Sequence, residues 1–191
     1  MATVCVIHHS ITGTTSRLAT SVLQGLRGVD GCIAKALAID GVDIVEGRFR
    51  NDAVLRALDA SDAMIFGCPT FMGGPSAQFK AFADASSDRW ETQRWEGKLC
   101  AGFTIGSSPS GDQLATIQYF TILAAQHGML WVGLDIPGGH DAQGRNRLGA
   151  QLGLVSQSAG TLVPDVDLIT AEHFGARVAR KVLILAGKHE V

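Results

Sequence analysis

Apolar runs and amphipathic stretches alternate along this chain. Five runs of mostly apolar residues, typical of strands buried on both faces, occupy residues 3–7, 33–38, 63–68, 99–105 and 129–134. Five stretches with apolar residues at helical spacing occupy residues 15–27, 52–58, 76–84, 112–126 and 171–186. This alternation predicts an α/β fold, with a doubly wound, five-stranded parallel sheet between two helical layers in a three-layer sandwich.

Composition narrows the range of functions. The chain has 191 residues, 46% of them hydrophobic, which predicts one domain over residues 1–191 with a large buried core. A net charge of −2 and a pI near 6.3 favour neither nucleic acid nor an anionic lipid surface as partner. No leader or membrane-spanning pattern and no metal-like cysteine spacing is apparent, so we expect a soluble, cytoplasmic protein without a metal.

The segment after the first apolar run combines hydroxyl side chains with the start of a helix. Residues 10–15 read Ser-Ile-Thr-Gly-Thr-Thr. The first amides of a helix lack intrahelical acceptors and lie at the positive end of its dipole, which favours an anion. The GxxxxGK[ST] and GxGxxG patterns are absent, so the segment favours a monophosphate. The alternative is an ordinary turn that ends in a helix N-cap.

Two more loops of suitable composition follow the third and fourth apolar runs. Residues 69–75 read Pro-Thr-Phe-Met-Gly-Gly-Pro, and residues 106–111 read Gly-Ser-Ser-Pro-Ser-Gly. In open parallel sheets, ligands bind beyond the carboxyl ends of the strands, where the strand order reverses. The three loops therefore predict one shared small-molecule site, although each loop alone has the composition of a plain turn.

With these loops, the sequence resembles the WrbA-type NAD(P)H:quinone oxidoreductases, a flavodoxin-like family that binds FMN. The resemblance covers most of the chain and implies the strand order 2-1-3-4-5. It implies that residues of the three loops and one helix-end residue bind FMN: Ser10, Ile11, Thr12, Gly13, Thr14, Thr15, Pro69, Thr70, Phe71, Met72, Gly73, Gly106, Ser107, Ser108, Pro109, Ser110, Gly111 and Gln126. It also implies substrate-binding roles for Trp90 and His127, no catalytic acid or base, and a homodimer or homotetramer.

The resemblance implies two-electron reduction of a quinone, with NAD(P)H as electron donor and FMN as cofactor. Two departures bear on this expectation: Gln126 stands where the family has the first histidine of a pair, and the third loop contains Pro109 and fewer glycines. One alternative is an electron-carrier flavodoxin, which the nearly balanced charge disfavours. The other is a non-catalytic flavin-binding module with a regulatory or assembly role, which both departures permit.

Two segments are interpreted as contact surfaces between subunits. Residues 85–95 contain two tryptophans, Trp90 and Trp95, flanked by charged residues, and we expect both to be exposed. Residues 137–164 have no place in the alternation of strands and helices. We therefore interpret that region as a pocket or interface segment, and residues 137–154 within it as the second candidate contact surface.

Overall fold

The computed structural model describes residues 1–187 and contains a mostly parallel sheet with helices on both sides. The strands are β1 (Ala2–His8), β2 (Cys32–Ala38), β3 (Ile44–Val45), β4 (Arg48–Phe49), β5 (Ala63–Phe71), β6 (Gly74–Pro75), β7 (Leu99–Gly106), β8 (Leu130–Trp131) and β9 (Leu154–Gln157). The helices are α1 (Thr14–Arg27), α2 (Asp52–Asp59), α3 (Ala77–Ala85), α4 (Ser87–Glu91), α5 (Gln113–Gln126) and α6 (Asp165–Leu185). None of these helices is long and apolar enough to cross a membrane. The final residues of the predicted domain, 188–191, lie outside the described part.

The central strands are buried on both faces, as their continuous apolar runs predict. Strands β2, β1, β5 and β7 are parallel neighbours in that order. Successive side chains of β1 point to opposite faces: Val4 and Val6 pack into the core under α1 and α6, while Cys5 and Ile7 pack into the core under α2, α3 and α5. The α/β expectation, a parallel sheet between two helical layers, is confirmed.

Helices α1 and α6 cross with their backbones in direct contact. A Cβ added to Gly25 would lie 1.8 Å from the carbonyl oxygen of Glu172, and one added to Gly175 would lie 2.0 Å from that of Val22. Only glycine fits at these two positions. The crossing holds α6 against α1, the helix that follows the first loop of the predicted site.

The strand count differs from the predicted five, and the main difference lies in the fifth strand. The apolar run at 129–134 forms only the two-residue β8, which pairs with Leu99 and Cys100. The chain then leaves the sheet through residues 132–153, here termed the insertion, and returns as β9 beside Phe103–Gly106. Val132 and Leu134 in the insertion are buried in the core. Their hydrophobicity therefore indicated burial rather than strand pairing.

An ion pair between Arg147 and a buried carboxylate, that of Asp167, connects the insertion to the body of the protein. Arg147 donates from Nε and Nη2 to the two carboxylate oxygens of Asp167 in α6, at 2.8 and 2.9 Å. Asp167 also accepts a hydrogen bond of 2.7 Å from the Ser156 hydroxyl in β9. A buried carboxylate needs such partners. The segment that the sequence left unassigned thus contains a strand and a fixed connection.

Candidate functional site

The first predicted loop connects β1 to α1 and leaves its anion-binding groups open. Gly13 is the N-cap of α1 with φ of 85°, a left-handed conformation that favours glycine. The Ser10 hydroxyl accepts from the amide of Ser16 at 3.3 Å, whereas the amides of the first two helical residues have no acceptor in the described residues and are available to a ligand. The side chains of Thr12 and Thr14 meet at 3.1 Å between their hydroxyl oxygens. This arrangement suits a phosphate group.

The second predicted loop is a tight hairpin between β5 and β6. Met72 and Gly73 occupy the turn with φ of 48° and 74°, the pattern of a two-residue type I′ turn. Met72 is fully exposed, so its apolar side chain extends into solvent next to Phe71, which is partly exposed. A left-handed methionine is unusual in a turn where glycine would be less strained.

A chain of hydroxyl groups holds the base of this hairpin. Thr104 donates to the carbonyl oxygen of Cys68 at 2.7 Å, so it accepts from Thr70, 2.8 Å away. Since that bond uses the Thr70 proton, Thr116 of α5 donates to Thr70, also at 2.8 Å. Three elements, β5, β7 and α5, thereby set the position of Thr70.

The three loops meet in one cleft of about 240 Å³ at the carboxyl edge of the sheet. Its lining residues are Ile11, Thr12, Thr14, Thr15, Pro69, Thr70, Phe71, Ile105, Gly106, Ser107, Ser158 and Gly160. Ser10, Gly13, Met72, Gly73, Ser108 and Gly111 belong to the same loops but are not among the lining residues. The cleft lies where the switch-point rule predicts a ligand site.

A fourth segment of the cleft was missed by sequence reasoning. Ser158 and Gly160 line it from the loop after β9, and the Ser158 amide donates to the carbonyl oxygen of Gly106 at 2.8 Å. The Ser-Ala-Gly triplet at 158–160 has the composition of the other loops. Sequence reasoning did not recognise it because the preceding strand, β9, lies in residues 137–164, where no element was predicted.

Part of the third predicted loop faces a second cavity instead of the cleft. Pro109 and Ser110 line a recess of about 290 Å³ between α5 and the insertion. Gly106 and Ser107 line the cleft, so the loop forms a wall between the two cavities. The departures from the glycine-rich family loop therefore fall on the far side of that wall.

Trp90, Gln126 and His127 lie away from the cleft within one chain. Helix α5 begins at the cleft edge of the sheet and ends with Gln126 and His127, about 20 Å further along at about 1.5 Å per residue. Trp90, in α4, is 45% exposed. The Gln93 side chain donates to the backbone oxygen of Gln126. The structure thus does not bring these three residues to the cleft.

His127 is packed as a neutral core residue. Its ring lies 4.4 Å from that of Trp95, and only 1% of the residue is exposed. Because the Ser86 hydroxyl donates to Ala83, it accepts from His127 Nε2 at 2.9 Å. Burial lowers the pKa of His127 to about 4, which keeps the ring uncharged at neutral pH. Trp95 is buried, contrary to the expectation of exposure, and donates to Asp59 at 2.8 Å.

Two histidines next to the first loop are also held in the neutral form. Burial lowers the pKa of both His8 and His9. His9 Nδ1 lies 2.8 Å from the hydroxyl of Ser76, the N-cap of α3, and His8 Nε2 lies 3.1 Å from the hydroxyl of Ser16 in α1. These contacts join the first loop to the helices on both faces of the sheet.

The chemistry of the cleft fits a phosphate monoester joined to a flat ring system. Uncapped amides and threonine hydroxyls supply donors at one end, and the lining residues include no carboxylate that would repel an anion. The second and third loops face each other at the other end. The fold and the cleft together define a flavodoxin-like α/β protein with a site suited to FMN.

Comparison with known proteins agrees with this class. The chain belongs to the family of NADPH-dependent FMN reductases, whose family model matches residues 3–140, and within it to the WrbA type. Flavodoxin FldP of Pseudomonas aeruginosa is 35% identical over 188 residues, covering 94% of this chain and 96% of that protein. An NAD(P)H dehydrogenase (quinone) of Archaeoglobus fulgidus is 34% identical, with the same coverage.

A solved structure supports both the fold and the family. The flavodoxin, WrbA-like protein from Agrobacterium tumefaciens superposes with a TM-score of 0.75 at 41% identity. The match covers 95% of this chain and 98% of that protein. The resemblance identified from the three loops, and the flavodoxin-like fold that it implied, are therefore confirmed.

Proposed function

We propose that this protein is an FMN-dependent oxidoreductase that transfers two electrons from NAD(P)H to a quinone. The observation that carries the proposal is the cleft, in which the free first two amides of α1 and two opposed loops meet. Two relatives at 34% and 30% identity are named NAD(P)H dehydrogenase (quinone), which supports this reaction class.

The cleft residues divide into two groups by the chemistry they offer. Thr12, Thr14, Thr15 and the first-turn amides of α1 hold the phosphate of FMN through hydrogen bonds that favour its negative charge. The loops containing Phe71 and Ser107 hold the ring between them. FMN bound there would supply the redox chemistry, which is hydride transfer from a nicotinamide to a quinone.

The protein's own contribution is positioning and not proton transfer. None of the cleft-lining side chains is ionisable near neutral pH. Protons that accompany quinone reduction therefore come from solvent. The cleft orients each substrate in turn against the same cofactor.

An electron-carrier flavodoxin is the second candidate, favoured by the relative named flavodoxin FldP at 35% identity. Carriers dock on partner proteins through strongly charged faces, whereas this chain has 16 basic and 18 acidic residues. The regulatory alternative drew on Gln126 and the third loop. Gln126 is remote from the cleft within one chain, and the changed Pro109 and Ser110 line the neighbouring recess.

The deciding experiment is anaerobic mixing of FMN-loaded protein with NADH or NADPH, followed by addition of benzoquinone. Loss of the flavin absorbance with a nicotinamide, and its return with the quinone, supports the oxidoreductase. Bound FMN that neither nicotinamide reduces would favour the carrier, and failure to bind FMN would reject both.

A homodimer or homotetramer is part of the proposal, and α5 supplies its surface. None of the 14 residues of this helix is charged, and Leu114 and Ile122 are exposed on its outer side. A helix without a charged face is normally buried. A neutral surface can meet its own copy across a two-fold axis without like-charge repulsion.

The oligomer has its own test. Ile122→Glu introduces a charge into this surface, and we expect it to lower the mass measured by light scattering. Ile169→Glu on α6, which is also exposed, is the matched control. A wild-type monomer, or an Ile122→Glu variant of unchanged mass, would remove α5 as the interface.

A further inference from the structure

Three consecutive carbonyl groups of the third loop are hydrogen-bonded by donors from outside the loop. The donors come from the end of β9 and from the first residue of α5. The Ser158 amide donates to the oxygen of Gly106 at 2.8 Å, Gln157 Nε2 to that of Ser107 at 3.2 Å, and Gln113 Nε2 to that of Ser108 at 3.0 Å. The loop peptides are therefore held in one orientation.

This orientation determines where the loop amides point. All peptide bonds are trans, so each N–H points opposite to the carbonyl of the same peptide. The Gly106 carbonyl points to β9, so the Ser107 N–H points toward β5 and the second loop, across the cleft. The Ser108 N–H points away from Gln157. Within residues 1–187, neither amide has an acceptor.

Gln113 is the buried part of this arrangement. It is 1% exposed, and its Nε2 also donates to the Ser156 oxygen in β9 at 3.2 Å. A Cβ added to Gly106 would lie 2.9 Å from this nitrogen, so the glycine provides the space for the side chain. Gln113 thereby joins α5, the third loop and β9.

The same side chain is poorly suited to a purely structural role. Gln113 Oε1 is buried and accepts no hydrogen bond from the residues that the structure describes. An unpaired buried acceptor disfavours the folded state, and an apolar residue of similar size would avoid that loss. What glutamine adds at this position is its pair of donors.

We propose that Gln113 is a positioning residue for the FMN ring, and that Gln157 holds the same loop through a second hydrogen bond. By holding the Ser107 carbonyl, Gln157 orients the Ser108 N–H toward acceptor atoms of the ring. Gln113 holds the Ser108 carbonyl, whose peptide has no N–H because residue 109 is proline, and so fixes the position of the loop next to the free amides of Ser107 and Ser108. This inference rests on the proposed FMN site. It concerns residues that act through the loop, since neither glutamine lines the cleft.

The first test needs no FMN. Gln113→Met removes both donors and adds no buried charge. We expect the backbone-amide NMR signals of Ser107 and Ser108 in the FMN-free protein to shift and broaden, because the loop is no longer held in one position. Gln24→Met, the same change on the exposed side of α1, should leave these signals unchanged. Wild-type signals in folded Gln113→Met would overturn the proposal.

The second test measures FMN binding by fluorescence quenching and the midpoint potential of the bound flavin. We expect Gln113→Met to weaken FMN binding by about tenfold and to shift the potential, since a different loop position alters the donors at the ring. We expect no loss of apoprotein stability, because the substitution also removes the unpaired Oε1. Wild-type affinity and potential in folded Gln113→Met would overturn the proposal.

The two tests separate this inference from the proposed function. If wild-type protein does not bind FMN, the proposed function fails, and the NMR measurement on the FMN-free protein still shows whether Gln113 holds the loop. If wild-type protein binds FMN and the variant behaves like it, only the inference fails.

Discussion

The two edges of the sheet are built from opposite kinds of contact. At the carboxyl edge, the first two amides of α1 and those of Ser107 and Ser108 have no partner in the described chain. At the amino edge, Trp95 is bonded to Asp59, and Lys98 donates to the carbonyl oxygens that end α2. Unpaired donors are available to a ligand, whereas paired ones contribute to stability. The difference assigns binding to one edge and stability to the other.

The largest expected effect comes from removing the amino-edge anchor. Trp95→Ala deletes a fully buried side chain and its bond to Asp59, and should lower the free energy of unfolding by about 3–5 kcal/mol. FMN affinity, measured well below the unfolding midpoint, should stay close to that of wild type. Urea unfolding and fluorescence titration measure the two quantities. A matching loss of FMN affinity would show that the two edges are coupled.

Acid should also destabilise the amino edge, through protonation of His127. The pKa of this residue is lowered from 6.5 to about 4 by burial, so the unfolded chain takes up the proton first. Stability is therefore complete above pH 6.5 and falls as the pH drops toward 4, by about 3 kcal/mol for the full shift. Urea unfolding midpoints measured between pH 7 and pH 4 give this loss of stability.

His127→Gln is the control for this pH dependence. Its side-chain amide can donate to Ser86 but does not titrate. We expect a shallower loss of stability in acid, with the remainder due to His8 and His9, whose pKa values are also lowered. Identical pH profiles for the variant and the wild type would rule out His127 as the source.

Changes at the carboxyl edge should weaken FMN binding and leave the free energy of unfolding close to that of wild type. Thr12→Ala and Thr15→Ala remove donors to the FMN phosphate and should each weaken binding by about 1–2 kcal/mol. Thr20→Ala, one turn further along α1 and exposed, should not. Fluorescence titration gives the affinities, and wild-type affinity in both Thr variants would remove these hydroxyls from the phosphate site.

The smallest effect is expected at the exposed tryptophan. Trp90→Ala should leave FMN affinity unchanged, because Trp90 does not line the cleft of its own chain. The family resemblance implies that Trp90 lines the substrate pocket, and with that role kcat/KM for benzoquinone should fall while FMN stays bound. Unchanged steady-state kinetics would leave Trp90 as a surface residue.

The regular parts of the fold were predictable because each carries its own local pattern. The apolar run at 63–68 became β5, and the helical spacing at 112–126 became α5. The fifth strand was not predictable, since Val132 and Leu134 are as apolar as strand residues but are buried off the sheet. The short β3, β4 and β6 and the five-residue α4 are too brief for periodicity to reveal.

The candidate site was likewise predictable in part. Hydroxyl-rich and glycine-rich loops after strands are visible in the sequence, because turn chemistry and the carboxyl-edge rule are local in origin. The fourth segment, at Ser158 and Gly160, was not predicted because it follows β9, which the sequence pattern did not reveal. The roles expected for Trp90 and His127 depend on distances that spacing along the chain does not encode.

The sequence by itself determined the fold class and the three loops of the cleft, since these follow from local periodicity and turn composition, and its motifs carried the resemblance to the family. Only the tertiary structure decided which face of the third loop meets the cleft and that His127 is a neutral core residue. It also decided that α5 separates Gln126 from the cleft. These properties arise between residues distant in sequence, as in the bond from Gln113 to Ser156, and no local pattern specifies such contacts.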